Sequence, residues 1–242
     1  MTHDAATRAR LLETARRLFA ARGFKAVTVR EIVSAAQANV AAVNYHFGDK
    51  LGLYRELLQQ AIGSMRETTE LARRAGRGRP PEQQLRAFVH VFMQRVLAGG
   101  NDSLHRLITR EIGEPTPALD LLVEQGVRPR IEYLSGVIGR MLGCDPREPR
   151  VRRCVASVQS QVVAYFPNPI AVRLGFRFDP TPANIEQAAN HVAAFSIAGV
   201  RAVGAGRLSA SRSSSSRGAR GSRAPRGSSG SRAAPRSPRA GA

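Results

Sequence analysis

Asn44 and Tyr45 stand side by side, with Ala41 one helical turn before Tyr45, in the run Asn39-Val40-Ala41-Ala42-Val43-Asn44-Tyr45-His46-Phe47. A side-chain amide can pair bidentately with adenine N6 and N7, and a methyl or a phenol ring can touch a thymine methyl. Val43 and Phe47 are four apart and Val40 is three before Val43, a spacing that turns these three inward. Ala41, Ala42, Asn44 and Tyr45 then make an outward face of small and hydrogen-bonding residues, suited to close approach to a DNA groove. Thr28 and Asn39 fall at expected helix N-termini, where free amides and the helix dipole favour phosphate. His46 and Lys50 flank the same surface and suit backbone phosphates, which fix register without reading sequence.

The elements that must position these residues are short. Thr28-Val29-Arg30-Glu31 has the form of a capping box, with Glu31 three residues after the threonine. It opens a helix of two turns that ends near Ala36. Asn39 caps a second short helix to about Tyr45, and Asp49 caps a longer one carrying Leu53, Leu57, Leu58 and Ala61. Ahead of them, Leu11, Leu12, Ala15, Leu18 and Phe19 recur at helical spacing until Gly23 supplies a left-handed stop. Two short helices joined by a tight turn in a basic region make a helix-turn-helix. Such caps also occur at ordinary helix corners, and it is the basic flanks, Arg8, Arg10, Arg16, Arg17, Arg22, Lys25, Arg30 and Lys50, that favour groove binding.

Beyond the breaker-rich stretch from Arg74 to Pro81 the expected helices are longer and more apolar. Pro81 opens one with Leu85, Phe88, Val89, Phe92 and Val96 as its stripe, and Gly99-Gly100 ends it. Asp102 caps the next, to about Ile112. Pro117 opens a helix to about Leu142 with a kink at Pro129. Further helices are expected over about Val151–Phe166 and Ala183–Val203, separated by a proline-punctuated connection. From Ala205 onward the chain is almost wholly Ser, Arg, Gly, Ala and Pro, with Leu208 as its one large apolar residue. Burial cannot offset the cost of ordering such a segment, so disorder is expected.

Charge and composition narrow the chemistry. The chain has 242 residues with 37 Lys+Arg against 18 Asp+Glu, a formal net charge of +19. Such a balance points to polyanionic partners. Nine arginines lie between Arg207 and Arg239, and no acidic residue follows Glu186. The two cysteines, Cys144 and Cys154, are too few for a disulfide scaffold or a four-cysteine zinc site. No stretch approaches the roughly 20 apolar residues of a membrane span, and no signal peptide is visible, so a cytoplasmic setting is expected.

No nucleophile elbow, phosphate loop, dinucleotide fingerprint or paired-carboxylate arrangement occurs, so neither catalysis nor a cofactor is expected. His90, His105 and His191 lack metal-ligand spacing, and no metal is expected. Phe88, Phe92, His105 and Arg110 are the candidates to line a small-ligand pocket, although Phe88 and Phe92 at helical spacing suit a plain core equally. Arg110 and Glu111, being adjacent, point to different faces. Cys144 and Cys154 read as inert thiols.

The run Leu11 to Phe24, followed by Thr28-Val29-Arg30-Glu31-Ile32 and by Asn39 to Tyr54, resembles the DNA-binding domain of TetR-type transcriptional repressors. The wording Asn39 to Phe47 is similar to the CecR-like branch, as are Glu111 to Ala118 and His191 to Arg201. The family turn has glycine where this chain has Gln37, which must accept a less comfortable backbone. The resemblance implies phosphate contacts from Thr28, His46 and Lys50. It makes Asn39 to Tyr45, Val40 included, the recognition helix, with Ala41, Asn44 and Tyr45 at base edges. It further implies a homodimer through the last two long helices and a small-molecule effector that releases operator DNA. The expected architecture is all-α: a helix-turn-helix domain over residues 1–60, a helical ligand-binding and dimerisation domain over 61–204, and a disordered basic tail over 205–242. A non-specific nucleic-acid binder driven by that tail is the rival reading.

Overall fold

The computed structural model describes residues 3–98, 103–166 and 169–210, and among these every regular element is helical. The described elements are α1 (His3–Arg22), α2 (Val29–Ala35), α3 (Val40–Phe47), α4 (Lys50–Ala75), α5 (Pro81–Ala98), α6 (Ser103–Gly113) and α7 (Leu119–Leu122). A π-turn (Val123–Val127) follows, then α8 (Arg128–Leu142), α9 (Pro149–Val163), α10 (Pro169–Arg173) and α11 (Pro182–Ala210). Residues 1–206 form one unit and 207–242 a second.

Local chemistry sets the boundaries of the first four helices. α1 ends where Gly23 takes φ +82° and its amide bonds the Phe19 carbonyl at 2.8 Å. The expected caps at Thr28, Asn39 and Asp49 all form, each side chain accepting a backbone amide of its helix's first turn. One face of each helix is sealed. Leu11, Leu12, Ala15 and Phe19 of α1, Ile32 and Val33 of α2, Val43 of α3, and Leu53, Tyr54, Leu57 and Leu58 of α4 share one apolar cluster. Leu107 of α6 and Ala118, just before α7, belong to that same cluster.

A second cluster joins α4, α5, α8, α9 and α11 through residues such as Ala72, Leu85, Phe88, Met93, Leu134, Ile138, Val155, Val158, Val192 and Val200. The 26-residue α4 therefore serves both clusters. The kink expected at Pro129 takes the form of the π-turn. Proline has no amide to give the Gln125 carbonyl and its ring crowds that oxygen, so the chain widens and Arg128 N–H reaches the Val123 carbonyl. Gly126 in this turn is buried against α4, where a Cβ would meet Met65 Sδ at 3.1 Å.

Several expected boundaries move. The helix expected from Pro117 begins at Leu119, because Thr116 Oγ1 accepts the Ala118 amide and holds a turn ahead of it. α9 spans Pro149–Val163 rather than Val151–Phe166. α11 continues to Ala210, past the expected end near Val203 and into the segment expected to be disordered. The cap at Asp102, the stop at Gly99-Gly100 and the tail beyond Ala210 lie outside the described residues.

Candidate nucleic-acid interface

α2 and α3 are joined by the four residues 36–39, whose backbone opens with a Schellman motif. The Ala38 amide bonds the Val33 carbonyl at 2.9 Å, the Gln37 amide bonds Ser34 at 3.2 Å, and Gln37 stands at φ +50°. Among the described residues Gln37 is the only non-glycine at positive φ, which is the less comfortable backbone the sequence implied. Arg10 of α1 adds a hydrogen bond from Nε to the Ala36 carbonyl at 3.3 Å. The turn is thus held from outside as well as from within.

α2 begins with both halves of the capping box formed. Thr28 Oγ1 accepts the Glu31 amide at 3.2 Å, and Glu31 Oε2 accepts the Thr28 amide at 2.7 Å. Arg22 donates to Glu31 Oε1 at 2.7 Å and to the Ala26 carbonyl at 2.7 Å. The Thr28 amide first, then the Arg22 guanidinium, hold the Glu31 carboxyl down from its ordinary 4.5 to about 2.

α3 presents Val40, Ala41, Asn44 and Tyr45 to solvent, with Tyr45 78% exposed. Its other side is sealed by Val43, with Ala42 and Phe47 packed against the same cluster. Two expectations are corrected here. Val40, expected inward, is 44% exposed, and Ala42, expected outward, packs inward. The buried stripe is Ala42-Val43-His46-Phe47, so its centre falls between these residues and leaves Val40, the first residue of the helix, on the flank. Val40 therefore joins the outward set.

The flanking residues differ in how they sit. Asn39 Oδ1 accepts the Ala42 amide at 2.7 Å, so its oxygen is committed to the cap. The His46 side chain is only 7% exposed, and its Nε2 lies 3.3 Å from the Asp4 carboxylate. It is a packed link from α3 to α1 rather than a side chain standing free at the surface. The Lys50 ammonium rests over the Phe24 ring at 4.3 Å. Burial lowers its pKa, while Glu31 opposes that shift.

The four residues expected around a ligand do not converge. Arg110 Nε donates to the Ala20 carbonyl at 3.2 Å and its terminal nitrogen to Ala21 at 2.6 Å, so it caps the end of α1. The orphan carbonyls of a helix C-terminus attract a guanidinium, and that is where Arg110 stands. Its neighbour Glu111 turns the other way, as adjacent residues on a helix must, and is fully buried. His105 packs its ring on Phe166 at 4.5 Å. Phe88 is core, and Phe92, stacked on it at 5.6 Å, is half-buried with the Arg130 guanidinium 4.9 Å above its ring. Sequence reasoning missed Arg130. The one signal was an arginine directly after Pro129, inside an otherwise apolar helical run.

Among the described residues no group of three or more His, Cys, Asp or Glu comes together as a metal site, and no helix is long and apolar enough to cross a membrane.

Known proteins share both parts of this arrangement. Residues 11–57 match the family described as bacterial regulatory proteins, tetR family, and residues 81–200 match the C-terminal domain of the HTH-type transcriptional dual regulator CecR. The CecR dual regulator of Shigella flexneri is 26% identical over 147 residues, covering 57% of this chain and 66% of that protein. A protein of Escherichia coli K12 named "Probable acrEF/envCD operon repressor" is 37% identical over 91 residues, covering 37% of this chain and 40% of that one. The chain thus spans just under two thirds of the first relative's length and less than half of the second's. Among solved structures, AibR in complex with isovaleryl coenzyme A and operator DNA superposes with a TM-score of 0.58 at 19% identity, covering 78% of this chain and 97% of that one. A capped two-helix unit with one face of its second helix open to solvent, set on an all-helical body, is a helix-turn-helix architecture. The chain belongs to the TetR family, and its C-terminal half is of the CecR type.

Proposed function

We propose that the chain is a sequence-specific, homodimeric transcriptional repressor that acts in the cytoplasm, binds a palindromic operator, and is released by a small-molecule effector. Residues 1–60 act as the DNA-reading head and 61–204 as the effector-binding and dimerising body. The observation that carries the reading is the outward face of α3. Tyr45 is 78% exposed beside Asn44, while the opposite side of the same helix is sealed by Val43. A large aromatic left in water next to an amide, on a helix fixed by its caps, is placed to enter a major groove. Ala41, Asn44 and Tyr45, with Val40 at the flank, read bases. The α2 N-terminus at Thr28, together with Asn39 and Lys50, meets phosphates, and His46 contributes by holding α3 against α1.

Dimerisation falls to α9 and α11. Val163 of α9 is 57% exposed, and Phe195 and Val203 of α11 are 63% and 43% exposed, while Val155, Val158, Val192, Ile197 and Val200 of the same helices are buried. The repressor sense draws on the printed name of the Escherichia coli relative. Effector response draws on family membership: an effector must bind the non-operator conformation better, with a coupling of about 1–3 kcal/mol.

Selection of bound DNA from a random pool by the full chain tests this reading. Enrichment of a palindrome with half-sites about one helical turn or more apart supports a sequence-reading dimer. The Arg-rich end of the chain, with no acidic residue after Glu186, favours the non-specific binder as a second reading. In that case no sequence is enriched, and all binding falls steeply with salt.

A further inference from the structure

Asp4 is a carboxylate set in a basic head. It stands exposed in the first turn of α1, a helix that also carries Arg8, Arg10, Arg16, Arg17 and Arg22. A negative charge there works against any phosphate that approaches. An acid in a first turn also favours the helix dipole, but that role needs no particular partner. Asp4 has one: its carboxylate lies 3.3 Å from His46 Nε2, and that imidazole is almost wholly buried.

The contact continues to the outward face of α3. The His46 ring meets the Tyr45 ring edge-on, with centroids 4.9 Å apart and an interplanar angle of 71°. Tyr45 is the large side chain of that face and stands mostly in water. Arg8, one turn after Asp4, keeps the helices in place for this link. Its guanidinium lies 5.3 Å over the Phe47 ring and donates to Glu56 of α4 at 2.8 Å. Asp4 and Arg8 thus grip the last turn of α3 from α1, while the Asn39 cap holds its first turn. An exposed side chain that reads bases gains from being held in advance, because freezing it on contact costs entropy.

We propose that Asp4 is a positioning residue for base reading: through His46 it fixes the Tyr45 ring in the direction from which that ring meets the operator. Asp4 itself touches no base, and the imidazole acts on the ring rather than on a phosphate. The inference rests on the reading of α3 as the base-reading helix.

Fluorescence anisotropy of the full chain on the selected operator and on random DNA, at one salt concentration, gives a discrimination ratio that tests the link. Removing the Asp4 charge changes affinity for both DNAs alike, so the ratio isolates positioning from electrostatics. Asp4→Ala lowers the ratio about three- to tenfold, the range of one modest polar contact. Asp4→Asn removes the same charge but keeps an oxygen in place, and it stays within about twofold of wild type. Beside Tyr45→Ala, Asp4→Ala lowers the ratio no further, because the link then ends on a missing ring. A ratio unchanged in Asp4→Ala, whatever its melting temperature, overturns the proposal. So does a loss that persists in full beside Tyr45→Ala, or an Asp4→Asn ratio as low as that of Asp4→Ala. An effect of Tyr45→Ala without one of Asp4→Ala removes this proposal alone. A pool that enriches no sequence, or a Tyr45→Ala ratio equal to wild type, removes the reading of α3 and this proposal with it.

Discussion

Tyr54 of α4 donates its hydroxyl hydrogen to Glu111 of α6 at 2.8 Å, and the accepting carboxylate is fully buried. The Thr116 amide and hydroxyl bond the same carboxylate at 2.9 and 3.0 Å, so hydroxyl and amide donors do what an arginine does in most buried carboxylate sites. Burial first, and then Glu111, push the Tyr54 pKa well above its ordinary value. Arg110, one residue away, bonds the end of α1. Two neighbouring residues of α6 therefore tie that helix to α4 and to α1.

Tyr54→Phe removes one donor from a buried anion and leaves the rings packed. Its expected cost is about 1–3 kcal/mol of stability. Urea unfolding of the variant measures it, and a midpoint identical to wild type contradicts the assigned hydrogen bond.

The capping box makes the head acid-sensitive in a definite window. Glu31 has a folded pKa of about 2 against an ordinary 4.5. The unfolded chain binds the extra proton, so this stabilisation is complete above about pH 4.5 and is lost as the pH falls toward 2. Glu31→Gln flattens stability against pH between 2 and 5 relative to wild type. Curves that stay parallel through that window dispose of the assignment.

Gln37 pays for its left-handed backbone with Cβ crowding that glycine lacks. Gln37→Gly relieves about 1–2 kcal/mol of strain and adds about 0.5–1 kcal/mol of unfolded-chain entropy. A net gain of about 0.5–1 kcal/mol is expected in thermal unfolding, and a loss places the turn in another conformation.

Base reading and phosphate holding separate by mutation. Asn44→Ala and Tyr45→Ala each cost about 1–3 kcal/mol on the selected operator and little on random DNA. Equal losses on both DNAs, in fluorescence anisotropy at one salt concentration, move the reading face elsewhere.

Phe195→Arg, at an exposed position of α11, is expected to leave the fold intact and to shift the chain from the proposed dimer to monomer. Sedimentation velocity reads the mass, and an unchanged mass removes Phe195 from the interface.

The helix-turn-helix was legible because its signals are local. Thr28 and Glu31 are three residues apart, and Asn39 and Asp49 cap within their own first turns, so chain spacing alone specifies the bonds. The phase of α3 was less legible. Val40 fits an inward spacing from Val43, but which side of a two-turn helix is sealed depends on how α1 and α4 pack against it, which spacing within α3 does not encode. Arg110 shows the same limit more sharply. A basic residue near a cluster of aromatics and histidines reads as pocket lining until its partners, the carbonyls of Ala20 and Ala21, are brought to it across 90 residues.

Leu107 and Ala118 are buried among the residues of the first four helices, and this bears on modular engineering. A chimera that grafts residues 1–60 onto the body of a different relative leaves behind the leucine that plugs the underside of the head. It also leaves behind Arg110 and Glu111, the two residues that fasten α6 to α1 and α4. The transferable cassette is therefore discontinuous: residues 1–60 together with 103–118, moved as a matched pair.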